Sequence, residues 1–339
     1  MKIPHKIKWK TFCLMFLCSV MPITAWATPV KLTSAPAIMQ ISNLKTAPTK
    51  LNFINDKLRI QDLEQVNHFN YVIAKLIPID GNGVEVRTSA AQRTDKDVYD
   101  IQLVIPPMED GEYALTLYSS SERYGTYRSF LTNNIGVTVK NGKAYFKLSA
   151  AYSHNYTLYN SYTLTEDLTT PETTDEQDLA VLTNLAYKIT EGLTDDYSKA
   201  LKVHDWIARN IYYDYDAYNT KQYGALTAID VYNSKRTVCA GYADLYKELM
   251  RILGIPCKYV SGIALNEGVF SDWSDYADNK INHAWNEVYA DGRWIVLDVT
   301  WDSPNKYVNG VKSTKGEVLH TYFDTTLKVF SMDHKIIEQ

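Results

Sequence analysis

Three side chains in this sequence have the chemistry that thiol-based acyl transfer requires: Cys239, His283 and Asp298, in that order. A cysteine thiolate can attack an amide carbonyl, a histidine can take up and return the proton, and a carboxylate can orient the imidazole. Each residue alone is weak evidence. Together they predict a catalytic triad, provided that the fold brings them within hydrogen-bonding distance.

The cysteine lies where a helix should begin. From residue 240 to residue 253 the apolar residues recur at the spacing of one helical face, and Gly254 and Pro256 mark the end. Unpaired amide N–H groups and the positive end of the helix dipole at the first turn favour a thiolate over a thiol. This placement suits a nucleophile at Cys239. A small buried residue on the same apolar face is the alternative, and the helix alone does not decide between them.

The histidine and the aspartate lie on a predicted hairpin. Asp291-Gly292 separates runs at 283–289 and 293–299 that are rich in Val, Ile, Trp and Tyr, which indicates two strands joined by a two-residue turn. In that register His283 and Asp298 are diagonal neighbours on one face, roughly 7 Å apart between Cα atoms. A three-residue loop would shift the register by one residue and turn every side chain to the other face.

The segments around these residues resemble the motifs of the transglutaminase-like superfamily, and more narrowly its bacterial secreted branch. The motifs are Val238-Cys239-Ala240-Gly241-Tyr242-Ala243, Asn282-His283-Ala284-Trp285-Asn286 and Asp298-Val299-Thr300, with agreement also at 202–207, Tyr322-Phe323-Asp324 and Asp333-His334. The resemblance covers about residues 176–335. It implies an α+β, papain-like core with a nucleophile helix packed on an antiparallel sheet, in which Cys239 attacks, His283 is the base and Asp298 orients it. Val299 departs from the pattern, since many members carry proline there.

The triad predicts a thioester acyl-enzyme and leaves its acceptor open. Water as acceptor gives a peptidase or amidase, whereas a lysine amine gives a transglutaminase cross-link. Hydrolysis is favoured slightly, because water is always available. The backbone N–H of Cys239 is the first expected oxyanion donor, and the sequence does not assign a second. The resemblance implies protein or cell-wall peptide substrates. The rival hypothesis is a non-catalytic surface module that binds through the N-terminal part of the chain.

Neither a cofactor nor a metal is expected. Asp272, Asp275 and Asp278 lack the glycine and the closing glutamate of an EF-hand, which indicates a solvated loop near the mouth of the site. His204 falls on the apolar face of a predicted helix and is interpreted as a packing residue. The tyrosine-rich run 211–223 is either part of a substrate groove or a polar loop.

Residues 1–27 are predicted to be a signal peptide, with cleavage after Ala27 and an uncleaved anchor as the alternative. Cleavage would remove Cys13 and Cys18, which argues against a disulfide framework, and Cys257 is then expected to be a core residue. The expected location is secreted or at the cell surface, without stable membrane insertion after cleavage. The whole chain carries a net charge of −4; the leader holds four lysines and no acid, so the remainder carries −8. This balance argues against nucleic acid and anionic lipid as partners.

The chain divides into two predicted domains. Residues 28–160 contain short strand patterns with turn signals, including Asn141-Gly142, which predicts a β-sandwich, for which an immunoglobulin-like form is one candidate. Residues 161–178 are rich in Thr, Glu and Asp and are predicted to be a linker. Residues 179–339 hold the triad and form the predicted catalytic domain.

Overall fold

The computed structural model describes residues 28–33, 38–43, 48–62, 70–79, 84–92, 100–224, 226–265 and 280–338. The predicted signal peptide lies outside these ranges, as do the three aspartates of the predicted acidic loop at 272, 275 and 278. No helix in these ranges combines the length and the apolar character that crossing a membrane requires.

The N-terminal part of the chain consists of two antiparallel sheets. One sheet has the strand order β1-β2-β3-β7 and the other the order β10-β9-β8-β4-β5, with β6 beside β4. The strands are β1 (Ile38–Gln40), β2 (Lys50–Ile54), β3 (Lys57–Gln61), β4 (Tyr71–Pro78), β5 (Val86–Arg87), β6 (Ala91–Gln92), β7 (Asp100–Val104), β8 (Gly111–Ser120), β9 (Arg128–Lys140) and β10 (Lys143–Phe146).

The two sheets share one apolar core. In β2 and β3 every second residue is buried, and Leu51 and Leu58 meet Leu76 and Leu115 of the opposite sheet in one cluster. The predicted turn at Asn141-Gly142 joins β9 to β10, and both residues have the positive φ that this turn requires (51° and 69°). The described strands therefore form a β-sandwich.

The C-terminal part combines helices with two further sheets. The helices are α1 (Tyr152–Tyr159), α2 (Glu176–Ile189), α3 (Asp196–Asn210), α4 (Tyr215–Thr220), α5 (Ala228–Ser234), α6 (Cys239–Ile252), α7 (Val299–Asp302) and α8 (Leu327–Phe330), with a 3-10 turn at Glu166–Leu168. The strands are β11 (Tyr212–Asp214), β12 (Arg236–Thr237), β13 (Cys257–Ala264), β14 (His283–Ala290), β15 (Arg293–Leu297), β16 (Asn305–Val308), β17 (Val311–Thr314) and β18 (His334–Glu338). The larger sheet is antiparallel in the order β15-β14-β13-β18, and the smaller has the order β12-β11-β16-β17.

The hairpin β14–β15 has the predicted register. Ala290 pairs with Arg293 across the turn, and Asp291 and Gly292 have φ values of 53° and 75°. The second strand ends two residues earlier than predicted. Asp298 follows it with an extended backbone, and its side chain accepts backbone hydrogen bonds from the first turn of α7. The carboxylate therefore caps a short helix instead of extending a strand.

Strands β13 and β18 approach each other unusually closely at Gly262. The pairing register shifts between Ser261 and Gly262. A Cβ atom on Gly262 would lie 2.2 Å from the Lys335 carbonyl oxygen and 2.3 Å from a ring carbon of Trp285. Only glycine fits between a backbone carbonyl and a buried indole at this distance.

The segment after residue 320 joins the two parts of the molecule. Val329 and Met332 belong to the apolar core of the sandwich, and Thr325 forms a β-bridge with Ser42. Asn155 of α1 donates to the Ser331 hydroxyl and the His334 carbonyl and accepts from the Ile336 N–H; it is fully buried. The sandwich is therefore packed against the C-terminal part through shared core residues and backbone hydrogen bonds.

The predicted linker is held along helix α6. Glu172 forms ion pairs with Lys247 at 2.7 Å and Arg251 at 2.8 Å. Glu248 accepts hydrogen bonds from the backbone N–H groups of Glu172 and Thr173. Helix α2 begins at Glu176, within the range predicted as linker, and Asp175 caps it.

Strand β14 also buries an acid, Glu287, which is 0% exposed. It pairs with Lys258 on β13, whose ammonium lies 4.1 Å from the centre of the Tyr162 ring. Burial raises the pKa of the Glu287 carboxyl to about 7, although Tyr162 and Lys258 act in the opposite direction. This acid therefore changes its charge near neutral pH.

Candidate active site

Cys239 is the first residue of helix α6. Val238 before it is extended (φ −96°, ψ 179°), so the helix begins at the cysteine, as predicted. Two residues later, a Cβ atom on Gly241 would lie 2.1 Å from the Thr237 hydroxyl oxygen, so the chain before the cysteine packs closely on the helix. Cys239 is partly exposed, whereas Cys257 is buried in the core, as expected.

The two thiols have opposite pKa shifts. Burial would raise the pKa of Cys239, but the charge of His283, a hydrogen bond from its ring and one from the Ala284 N–H together lower it. Burial raises the pKa of Cys257 far above its ordinary value. Cys239 is therefore the thiol whose surroundings favour a thiolate.

His283 begins strand β14 and is hydrogen-bonded to Asp298. Its Nε2 lies 2.6 Å from Asp298 Oδ2, which leaves Nδ1 for the Cys239 thiol. Burial would lower the pKa of His283, but the charges of Asp298 and Cys239 raise it to about 10. The surroundings therefore favour a thiolate–imidazolium pair between Cys239 and His283.

Asp298 is held in place by contacts on both carboxylate oxygens. Oδ1 accepts from the backbone N–H groups of Thr300 (2.9 Å) and Trp301 (3.2 Å), while Oδ2 faces His283. The side chain is fully buried, which would raise its pKa, but the charge and hydrogen bond of His283, followed by those of His334, hold the pKa well below the usual range. Asp298 is therefore an ionised and oriented partner for the imidazole.

Asn286 connects the nucleophile helix to the strand that carries His283. Its Nδ2 donates to the Ala243 carbonyl of α6 at 2.9 Å and to the Lys258 carbonyl of β13 at 3.1 Å. The amide is buried, so both hydrogen bonds are shielded from water. It ties α6 to the two strands beside it.

The structure adds a second histidine to this group. His334 is fully buried, with Nε2 3.3 Å from Asp298 Oδ2 and Nδ1 2.7 Å from Asp333 Oδ1. Tyr322 donates its hydroxyl to Asp333 Oδ2 at 2.8 Å. Burial would lower the pKa of His334, but the two carboxylates raise it. A continuous row of polar groups thus runs from His283 to Tyr322.

Aromatic side chains enclose His334. Its ring stacks on Phe330 with centroids 4.1 Å apart, and Trp301 and Trp285 lie 4.6 and 5.0 Å away. The enclosure keeps water from the inner side of Asp298. In the sequence, Asp333-His334 is recognisable only as a part of the family resemblance, because the approach of His334 to Asp298 depends on the order of β13 and β18 in the sheet.

His204 is a buried packing residue, as interpreted from the sequence, and both of its ring nitrogens are hydrogen-bonded. Its Nδ1 lies 3.2 Å from Asp205 and its Nε2 3.2 Å from Asp302. His320 lies 2.6 Å from Asp205. His204, Asp205 and His320 have the spacing of a metal site, as do His283, Asp298 and His334, but imidazole–carboxylate hydrogen bonds account for both groups.

Of the three candidate residues, His283 lines a cleft of about 860 Å³. Trp301 also lines it, as do Tyr213, Tyr215 and Tyr218. These tyrosines belong to the run 211–223, which the sequence predicted to be either part of a substrate groove or a polar loop. The tyrosines are therefore part of a groove. The connection between β8 and β9 of the sandwich also lines the cleft. Burial, and next the charge of Cys239, raise the pKa of Tyr213, so its hydroxyl remains protonated and can donate.

Residues 183–299 match the family described as the transglutaminase-like superfamily, and this range includes all three candidate residues. These residues form a transglutaminase-like domain. The domain has the expected α+β fold, with the nucleophile helix packed on an antiparallel sheet. A thiol acyl-transfer or peptidase role fits it.

Curated relatives match about a third of the chain. The kyphoscoliosis peptidases of Mus musculus and Homo sapiens are each 31% identical over 122 residues, which is 36% of this chain and 18% of each relative. The chain therefore spans less than a fifth of the length of these relatives.

Solved structures of low identity resemble the chain more broadly. A candidate cysteine protease from Cytophaga hutchinsonii is 22% identical, with 85% of this chain and 78% of that chain covered at a TM-score of 0.31. Red sea bream transglutaminase is 13% identical, with 77% and 49% covered at a TM-score of 0.27. The family assignment rests on residues 183–299.

Proposed function

We propose that this protein is a thiol enzyme that cleaves or transfers the acyl group of amide bonds in proteins or peptides. Cys239 is the nucleophile, His283 the acid and base, and Asp298 the orienting carboxylate. The observation that carries the proposal is the buried 2.6 Å bond between His283 and Asp298, beside a thiol of lowered pKa at a helix N-terminus.

In this mechanism the Cys239 thiolate attacks the amide carbonyl carbon and forms a tetrahedral oxyanion. The backbone N–H of Cys239, in the first turn of α6 where a helix offers no acceptor of its own, is the proposed first oxyanion donor. His283 then gives its proton to the leaving amine as the C–N bond breaks, and the acyl group remains on sulfur as a thioester. Asp298 keeps the imidazole ring in the orientation that both steps need.

The thioester is proposed to be resolved by water. Water attacks the acyl carbon, His283 takes its proton, and the Cys239 thiolate leaves as the C–S bond breaks, which releases the acid, restores the thiolate–imidazolium pair and makes the protein a peptidase or amidase. A lysine amine in place of water would make it a transglutaminase. The proposed substrates are cell-surface proteins or wall peptides, consistent with the leader-like residues 1–27.

The test is to incubate the purified protein with casein while following two signals. Hydrolysis releases new amino termini, whereas transamidation incorporates a fluorescent primary amine into the casein. Cys239→Ser should abolish whichever signal appears, and Cys257→Ala, which changes the buried cysteine of the core, should preserve it. Loss of both signals in Cys257→Ala, or their persistence in Cys239→Ser, would contradict the assignment. A binding module would instead retain casein binding in Cys239→Ser and show neither signal.

Mass spectrometry of the protein recovered from its host tests the proposed location. Cleavage after Ala27 predicts Thr28 as the first residue of protein found outside the cytoplasm. A chain that begins at Met1 in the cytoplasm would contradict it.

A further inference from the structure

We propose that the connection between β8 and β9 of the sandwich, residues 121–127 with the strand ends beside it, is a wall of the substrate cleft that binds an extended polypeptide. This inference rests on the proposed function, since it assigns the recognition of the substrate chain that Cys239 would attack. It gives the sandwich a direct role in choosing the substrate.

The connection is a shaped polar surface. Ser121, Glu122, Thr126 and Arg128 line the cleft and are exposed. The Ser120 hydroxyl accepts from the Glu122 N–H at 3.2 Å, and the Gly125 N–H donates to the Glu122 carbonyl at 3.2 Å. Two local hydrogen bonds therefore fix the turn that presents these side chains. Hydroxyl, carboxylate and guanidinium groups at the surface suit the hydrogen-bonding groups of a peptide main chain.

The wall is fixed relative to the triad. Thr321 donates its hydroxyl to the Phe130 carbonyl, at the beginning of β9, at 2.7 Å. The next residue, Tyr322, belongs to the row of polar groups that ends at His283. Val329 and Met332 anchor the same segment in the core of the sandwich. A change in the position of the wall would therefore have to disrupt a packed core and not only a surface loop.

Another part of the cleft lining is aromatic. Tyr213, Tyr215, Tyr218 and Trp301 form it, and the Lys306 ammonium lies 5.5 Å from the centre of the Tyr215 ring. An extended peptide offers hydrogen-bonding groups along its main chain and alternate side chains to either face. Polar side chains and a group of aromatic side chains in the same cleft match such a chain, and the cleft volume of about 860 Å³ exceeds what one scissile amide needs.

The experiment compares two reagents that alkylate Cys239 in the full-length protein: iodoacetamide, which is small, and a tetra-alanine chloromethyl ketone, which must lie along the cleft. The measured quantity is the second-order rate constant for the chloromethyl ketone divided by that for iodoacetamide. Thr126→Trp places an indole at the polar wall, and we expect it to lower this ratio roughly tenfold. Arg123→Trp is the matched control, because Arg123 is exposed on the same connection but does not line the cleft. Its ratio should stay within about twofold of the natural protein.

Three other results are distinguishable. An unchanged ratio in Thr126→Trp would overturn the inference while leaving the triad intact. Equal losses in Thr126→Trp and Arg123→Trp would overturn it as well, because the effect would then come from a disturbed sandwich. If Cys239 in the natural protein reacts with neither reagent, the proposed function fails, and the inference that rests on it fails too.

Discussion

Replacing His283 with alanine isolates the contribution of the imidazole to the nucleophile. In the natural protein the charge of His283 is the largest effect that lowers the pKa of Cys239, against a burial effect that raises it. His283→Ala removes the cation and leaves the thiol largely enclosed. We therefore expect the pKa of Cys239 to change from below its ordinary value of 9.0 to above it.

The magnitude follows from the type of contact. A buried hydrogen bond to a charged group contributes about 1.5–3 kcal/mol, and each pKa unit corresponds to about 1.4 kcal/mol. The loss of the contact with the His283 ring should therefore raise the pKa of Cys239 by roughly 1 to 2 units. The direction of the change in alkylation rate follows from the pKa. A higher pKa leaves less thiolate at neutral pH, so alkylation near pH 7 should slow by roughly 10- to 100-fold.

The assay follows alkylation by iodoacetamide across a range of pH values, with mass spectrometry to identify the modified cysteine. The midpoint of the rate profile reports the pKa of Cys239. His154→Ala is the control, since His154 is exposed and its ring contacts the Ile336 carbonyl. An identical profile in His283→Ala and the natural protein would refute the proposed pairing, because the thiolate would then owe nothing to the imidazole.

Three further predictions concern buried groups. Asp298→Asn removes the charge that most strongly raises the pKa of His283, so we expect that pKa to fall from about 10, by roughly 1 to 2 units; histidine NMR titration would show an unchanged pKa if the reasoning is wrong. The Glu287 carboxyl has a pKa raised from 4.5 to about 7, so it binds more protons in the folded state and stability should fall as pH rises between these values. Glu287→Gln should remove this loss, about 3 kcal/mol at most above pH 7, as measured by urea unfolding at pH 5 and pH 8; equal pH dependence in both proteins would contradict it. Gly262→Ala places a methyl group against a backbone carbonyl and should cost about 1–3 kcal/mol or more in the same assay. Gly224→Ala, which meets no atom within 4 Å, is its control.

The parts of the site that the sequence predicted depend on local patterns. The Asp291-Gly292 turn determined the register of β14 and β15, because a two-residue turn leaves one alignment of the strands. The start of α6 at Cys239 followed from the apolar period and the glycine beyond its end. Both patterns lie within about 15 residues of the side chains that they position, His283 and Cys239.

The helix-capping role of Asp298 was less predictable from the sequence. Its neighbours Leu297 and Val299 are typical of a strand, so the strand was extended through it. The structure uses the carboxylate twice, with one oxygen on the first turn of α7 and the other on His283. Aspartate is also a preferred helix-capping residue, and the strand pattern concealed this second possibility.

Contacts between distant segments could not be predicted from one sequence. His334 lies 36 residues from Asp298 and reaches it only because β18 pairs with β13 with a shift in register beside Gly262. Thr321 meets Phe130 across 191 residues, and neither residue belongs to a periodic pattern that indicates the other. Sheet order and domain packing decide these contacts, and one sequence does not encode them in a local signal.

The division between the matched and unmatched parts of the chain has a consequence for specificity. The transglutaminase-like match ends at residue 299, so it contains Cys239, His283 and Asp298 but neither His334 nor Thr321. His334, which lies against Asp298, and Thr321, which fixes the wall of the cleft, both come from the segment after 320. That segment also enters the core of the sandwich. A chain that keeps Cys239, His283 and Asp298 could therefore exchange its N-terminal domain only if the C-terminal segment changed with it, since that one segment both contacts Asp298 and packs into the sandwich.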